Sequence, residues 1–231
     1  MSRKGHYILA FIIVILLCIH EVVHAKVDDT ESRQYIGLTY EPIKPLDISL
    51  TYRLDLYENL SQFKRNSIDL SVSYDLNKWM RLISGYRFTT SYKKDRHRFI
   101  IGVAMKARSS NKKYQFQFRS LLNFDSEYLD RDYWKVEAPA YKLRLRTKFK
   151  YRLNKKVDLT LFAEAFTRNS SQRYFFYKMR YGGGVEYAPS KAHSFEIGYF
   201  YQHEFNVKKP STVQTFSAEY TFTIPSKKKK K

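Results

Sequence analysis

The sequence predicts an all-β fold, an antiparallel transmembrane β-barrel of 10–12 strands. Three observations predict it. From about Leu46 to Ile224, stretches of nine or more residues alternate apolar and polar side chains, with Leu46-Asp47-Ile48-Ser49-Leu50-Thr51-Tyr52-Arg53-Leu54-Asp55-Leu56 the clearest. Alternate side chains of a strand point to opposite faces, so each stretch offers one face to an apolar medium and one to water or ion pairs. The polar face is heavily charged, with Asp47, Arg53, Asp55, Asp69, Asp75, Arg81, Arg87, Arg119, Glu164, Glu186, Glu196 and Glu219 on it. Aromatics recur near the ends, at Tyr57, Tyr74, Trp79, Tyr92, Phe124, Tyr151, Tyr187 and Tyr220, as in interfacial girdles. A soluble barrel or sandwich also alternates, but globular strands average about 5–6 residues and membrane strands need about 9–11. The length of the stretches therefore favours lipid on the apolar side.

Taken in order, residues 1–25 read as a signal peptide. Arg3 and Lys4 give the positive start, Ile8 to Ile19 the apolar centre, and Val23-His24-Ala25 a small-residue cleavage site, so the mature chain begins near Lys26. The single cysteine, Cys18, falls in that segment, and Leu17 stands where a lipoprotein site needs a small residue. The mature chain then has no cysteine, which excludes disulfides and cysteine-based nucleophiles or metal sites.

Residues 26–226 are the expected barrel and 227–231 a lysine tail. Eleven strand-like segments lie at 33–40, 46–57, 67–76, 80–92, 97–107, 114–124, 141–153, 157–166, 177–187, 194–203 and 213–224. Their connections alternate between tight turns rich in Asn, Lys, Ser and Pro and longer polar loops, the asymmetry of short periplasmic turns and long outer loops. Single-chain bacterial barrels normally have an even strand number. With long loops outward, segments 46–57 through 213–224 close a ten-stranded barrel with both ends in the periplasm. Segment 33–40 then either folds differently or is joined by a further segment to make twelve.

Composition agrees. Twenty Tyr and 17 Phe suit an aromatic-girdled wall. No segment after the leader approaches the ~18 apolar residues of a membrane helix. Mean hydropathy is −0.54, as lumen-facing residues dilute the apolar ones. Of the formal net charge of +20, the leader holds +1 and the final lysines +5, leaving +14 for the body. Such a bias raises nucleic acid as a partner, but export argues against it. Lipopolysaccharide phosphates, small anionic solutes and the cell wall are the remaining acidic partners.

Three stretches carry a resemblance. Asn154 to Phe166, the run Arg180-Tyr181-Gly182-Gly183-Gly184-Val185-Glu186-Tyr187, and Ser194 to Gln202 look like hairpins of a bacterial family catalogued only as a domain of unknown function and grouped with membrane β-barrels. The resemblance covers most of the mature chain. It implies a barrel in the outer membrane of a Gram-negative bacterium and brings no catalytic residues or cofactor.

The most unusual local pattern is a basic ladder. Lys142, Arg144, Arg146, Lys148, Lys150 and Arg152 share one strand face, opposite Leu143, Leu145, Thr147, Phe149, Tyr151 and Leu153. Six like charges on one face repel unless something negative lies opposite. Either the ladder is a lumen track for anions, or it pairs with carboxylates such as Asp158 and Glu164 and fills the interior. In predicted outer loops, Arg131, Lys135, Arg168 and Arg173 stand with Tyr133, Trp134, Tyr174 and Phe175, either to meet lipopolysaccharide phosphates or as interfacial anchors. Lys227 to Lys231 are a solvated tail or a contact to anionic headgroups. The aromatic-ended strand before them resembles the signal read by barrel-assembly machinery.

Gly182-Gly183-Gly184 lacks the context of a phosphate loop and reads as a bend or close approach between strands. His97, His193 and His203 show no metal-ligand spacing, and His203 and Glu204 point to opposite faces of one strand. No catalytic, cofactor-binding or metal residue is therefore expected. The expected function is an outer-membrane barrel of structural or binding role with an ion-paired lumen. A narrow passage favouring small anions is the alternative, and a lipid-modifying enzyme a distant third.

Overall fold

The computed structural model describes residues 27–92, 94–129, 140–170 and 173–226. The expected signal peptide with Cys18, the loop residues Arg131, Tyr133, Trp134 and Lys135, and the lysine tail lie outside the described residues.

Eleven strands form the fold: β1 (Asp29–Ile43), β2 (Leu46–Tyr57), β3 (Gln62–Asp75), β4 (Met80–Ser91), β5 (Lys94–Arg108), β6 (Tyr114–Leu129), β7 (Ala140–Arg152), β8 (Val157–Ser170), β9 (Arg173–Tyr187), β10 (His193–Glu204) and β11 (Thr212–Ile224). Each pairs antiparallel with its sequence neighbours, and β1 pairs with β11 to close the barrel. Closure leaves no unpaired edge, the condition for a sheet to stand in hydrocarbon. At about 3.3 Å per residue and a tilt of roughly 40°, strands of 12–16 residues rise ~30–40 Å, enough to cover a ~25 Å apolar band.

The eleven strands fall within the expected range of 10–12, and an odd number closes because of one parallel pair. β1 takes the eleventh place by running parallel to β11, in register from Asp29↔Val213 to Tyr40↔Ile224. A ring of only antiparallel pairs must contain an even number of strands, and one parallel pair removes that requirement. β1 earns its place by the same alternation as the others, with Ile36, Leu38 and Tyr40 exposed outward and Arg33 buried inward. The start of β1 therefore lies at the rim that carries the β2–β3 and β10–β11 connections, the loop rim. There the Asp28 N–H donates to the Thr212 carbonyl at 2.9 Å, and the Asn59 N–H to the Asp29 carboxylate at 3.2 Å. The end of β11 lies at the opposite, turn rim.

Turn-rim strand ends fall where the sequence puts them, because Asn side chains fix the turns. Asn77 accepts from the N–H of Trp79 and Met80, both at 2.9 Å. Asn154 accepts from the N–H of Lys156 and Val157, at 2.8 and 2.9 Å. Side chains that accept from the backbone two and three residues on mimic a backbone turn. At the loop rim the strands run further than expected. β5 begins at Lys94 and β8 reaches Ser170, so stretches expected as loops are largely strand. Polar residues past the apolar band lose alternation yet still pair their backbones.

The wall is apolar outside and polar inside. Ile36, Ile68, Phe99, Ile101, Phe116 and Ile197 are exposed on the outer face, Ile197 to 72%. The most deeply buried large side chains are Glu164, Asn123, Thr215, Asp55, Asp125 and Ser67. An apolar belt this large is a liability in water. Among the described residues no helix is long and apolar enough to cross a membrane, which does not bear on crossing by strands.

Candidate functional site: a basic lumen

Period-two alternation in eleven paired strands delivers every second polar residue to one interior. The register aligns Arg119 of β6, Arg146 of β7, Glu164 of β8, Arg180 of β9 and Gln202 of β10 side by side. Their opposite numbers, such as Leu143, Leu161 and Val185, stay on the outer wall.

The basic ladder of β7 lies inside, and five of its six cations meet carboxylates. Lys142 reaches Asp125 at 2.8 Å and Arg144 reaches Glu164 at 2.8 Å. Lys148 crosses to Glu196 of β10 at 3.5 Å. Lys150 contacts Glu186 at 2.5 Å and Asp158 at 3.4 Å, and Arg152 contacts Asp158 at 3.3 Å. Arg146 differs. Its guanidinium lies 4.2 Å from the centre of the Phe162 ring, and it forms no ion pair among the described residues. The ladder is thus a row of cations anchored mostly by acids on the adjacent strands β6 and β8, with Glu186 of β9 and Glu196 of β10 reached from further round, and not a bare track. Asp158 and Glu164, expected as partners from the sequence, both serve.

Among the buried carboxylates, Asp55, Asp125 and Glu164 act as hubs. Asp55 is fully buried among Arg33, Arg53 and Arg65, at 3.6, 3.2 and 2.7 Å. Asp125 takes Arg98 at 2.5 Å as well as Lys142. Glu164, 1% exposed, faces Arg144 at 2.8 Å, Arg180 at 3.3 Å and Arg119 at 4.0 Å. A buried carboxylate is tolerable only with such partners. Each hub nonetheless has fewer negative charges than positive ones around it. Towards the turn rim a row of acids, Asp158, Glu186, Glu196 and Glu219, stands in register on β8 to β11.

Aromatic rings inside the lumen lie close beside the guanidiniums. Phe162 and Phe200 flank Gly182 in register, and their rings meet edge to face at 6.0 Å. A side chain on Gly182 would have its Cβ 2.2 Å from the Tyr199 carbonyl oxygen, so glycine permits the close approach of β9 and β10. Arg180 lies 4.8 Å from the Phe200 centre and Arg33 5.1 Å. Stacking fixes the plane of a guanidinium and leaves its N–H edge free to donate.

These side chains leave a cavity of about 440 Å³ in the lumen. That is within the range of small-molecule sites. Twelve Arg or Lys residues line it against four Asp or Glu. A second space of about 230 Å³, lined by Arg81, Lys106 and Arg108, lies towards the turn rim.

Asp55, Arg33 and Arg180 fall on the polar face of segments that alternation marks, whereas Arg65 and Asp125 lie just beyond the expected segments 67–76 and 114–124, where β3 and β6 run further than the alternation shows. The lumen rings Phe162, Phe166 and Phe200 carried no such signal, being apolar residues on the polar face. Of the loop cations, Arg168 is exposed near the loop rim. The histidines hydrogen-bond to neighbouring hydroxyls: His97 Nδ1 to Tyr86 at 2.5 Å, His193 Nδ1 to Tyr220 and His203 Nδ1 to Thr212, both at 2.9 Å.

A family model described as a protein of unknown function (DUF2490) matches residues 39–213. No curated protein matches the chain. Among solved structures, the chain is similar to the NanC porin, at 12% identity over 75% of this chain and 86% of that one, with a TM-score of 0.47. It is also similar to the β-domain of the Bordetella autotransporter BrkA, at 14% identity over 77% of this chain and 82% of that one, with a TM-score of 0.48.

Proposed function

The chain belongs to the DUF2490 family of proteins of unknown function, and we propose that it is an integral barrel of the outer membrane whose basic lumen admits small anionic solutes. Location is supported by the exposed apolar belt of a closed barrel, together with the signal peptide read at residues 1–25. The single observation that carries the anion reading is the imbalance in the lumen cavity, twelve basic residues against four acidic. Fixed positive charge in a narrow pore raises the local concentration of anions and excludes cations. The acidic row near the turn rim is countered by Lys148, Lys150 and Arg152, so it does not invert that preference.

The test is a planar bilayer holding the refolded protein in a salt gradient. Single-channel steps with a reversal potential of anion sign are expected. A reversal potential of cation sign refutes the reading.

A second reading has its own observation. Five of the six ladder cations are ion-paired, and guanidiniums fill much of the interior, so the barrel is closed to flow and serves as a structural or binding wall. A folded, heat-modifiable barrel with no conductance in the same bilayer supports it.

A further inference from the structure

Arg119 and Arg146 are direct cross-strand neighbours on β6 and β7, both facing the lumen cavity. Like charges directly opposite destabilise a sheet unless a counter-charge sits between them. The protein supplies little. Among the described residues Arg119 has only Glu164, at 4.0 Å, and Glu164 is already engaged by Arg144 and Arg180 at shorter range. Arg146 rests on the Phe162 ring with no acid of its own among the described residues. Four guanidiniums thus surround one carboxylate, which leaves three positive charges on one stretch of wall. The buried Nε atoms of Arg144, Arg146 and Arg180 have no hydrogen-bond partner among the described residues. A buried N–H of a charged group without an acceptor is costly.

We propose that Arg119 and Arg146, with Arg144 and Arg180 beside them, form a binding site in the lumen for a phosphate dianion. The inference deepens the anion reading, and it rests on that reading only in that the ligand must reach the lumen. Two charges fit the local excess better than one. Guanidinium forks match the spacing of two oxygens on one phosphorus, which a spherical halide does not offer. The Phe162 ring already contacts the Arg146 guanidinium at 4.2 Å before the ligand arrives, so less rotamer freedom is lost on binding. Glu164 keeps the other two guanidiniums in place and limits the charge to what a dianion neutralises. The phosphate is either free or the terminal group of a small organic ester.

The test is calorimetric titration of the refolded full-length barrel in detergent, with inorganic phosphate, glucose 6-phosphate or chloride at matched ionic strength. Saturable heat with phosphate and none with chloride is expected. R119Q and R146Q should weaken phosphate roughly tenfold to a hundredfold, as expected for losing charge-assisted hydrogen bonds. R146K keeps the charge and loses the fork, and should also weaken it. R81Q, distant from the site and paired with Asp47 and Asp75, should bind as the parent does. Heat-modifiable migration of each variant on a gel checks that it folds. Binding of inorganic phosphate alone names free phosphate as the source, and binding of both compounds names the ester group; either supports the site. Phosphate heat equal to that with chloride, or unchanged in folded R119Q and R146Q, overturns it. Anion current without phosphate binding sinks the site and leaves the passage standing. Phosphate binding lost in R146Q, in a barrel that never conducts, does the reverse.

Discussion

Lys148 of β7 and Glu196 of β10 meet at 3.5 Å inside the barrel, although two strands lie between them in the wall. One pair of side chains spans that arc, so the bore at this level is narrow. The pair also ties the ladder to the acidic row of β8 to β11, and it is where the basic and acidic parts of the lumen join.

Charge reversal tests whether the ladder governs selectivity. R144E, R146E and K148E together replace three lumen cations by anions. In a conducting barrel the reversal potential should change sign from anion to cation preference. In a closed, ion-paired barrel the same triple variant should chiefly lower the urea midpoint, because Glu164 and Glu196 lose their partners.

Glu164 is the most demanding single position inside. E164Q would leave Arg144 and Arg180 buried without their acid. Removing one partner of a buried ionic cluster costs about 3–5 kcal/mol. A loss of about 3 kcal/mol or more in folding stability, read by urea titration in lipid vesicles, is the expected result. A change within about 0.5 kcal/mol would mean that water, not Glu164, carries those charges.

The outer face has a sharper test. Ile197 is 72% exposed near the middle of β10. In a water-soluble protein an exposed Ile→Arg change is close to neutral, within about 0.5 kcal/mol. Against lipid at mid-depth, I197R should cost about 2–4 kcal/mol. Urea titration of parent and variant refolded into vesicles measures the difference.

Gly182 tests the wall itself. Its hydrogen stands where a Cβ would lie 2.2 Å from the Tyr199 carbonyl oxygen and 2.4 Å from the Phe200 Cβ. G182V forces β9 from β10 and parts the Phe162 and Phe200 rings. A penalty of about 1–3 kcal/mol is expected, seen as a lower temperature for loss of the compact gel form.

Much of this was readable in the residues. Alternation located every strand, and it did so to the residue for both ends of β2, because lipid on one side enforces a period of two. Asn77 and Asn154 announced their turns by the same local chemistry that now holds them. At the loop rim the apolar constraint ends, so segment 157–166 grew to β8 at Ser170 without a pattern to show it. The eleven segments and the range of 10–12 strands hold, while the direction of the closing pair was not legible, since nothing in Asp29 to Ile43 says whether its far neighbour runs with it or against it. Inside, the ladder was visible as an oddity. Its partners were visible only in part, since Lys148 and Glu196 are 48 positions apart and only the closed ring brings them together.

The parallel seam has a topographic result. With Asp29 at one rim and Ile224 at the other, a passenger joined ahead of β1 and a passenger joined after β11 sit in different compartments. An epitope before Asp28 and one after Ser226 should be cut by opposite choices of protease, one added to intact cells and one admitted to the periplasm.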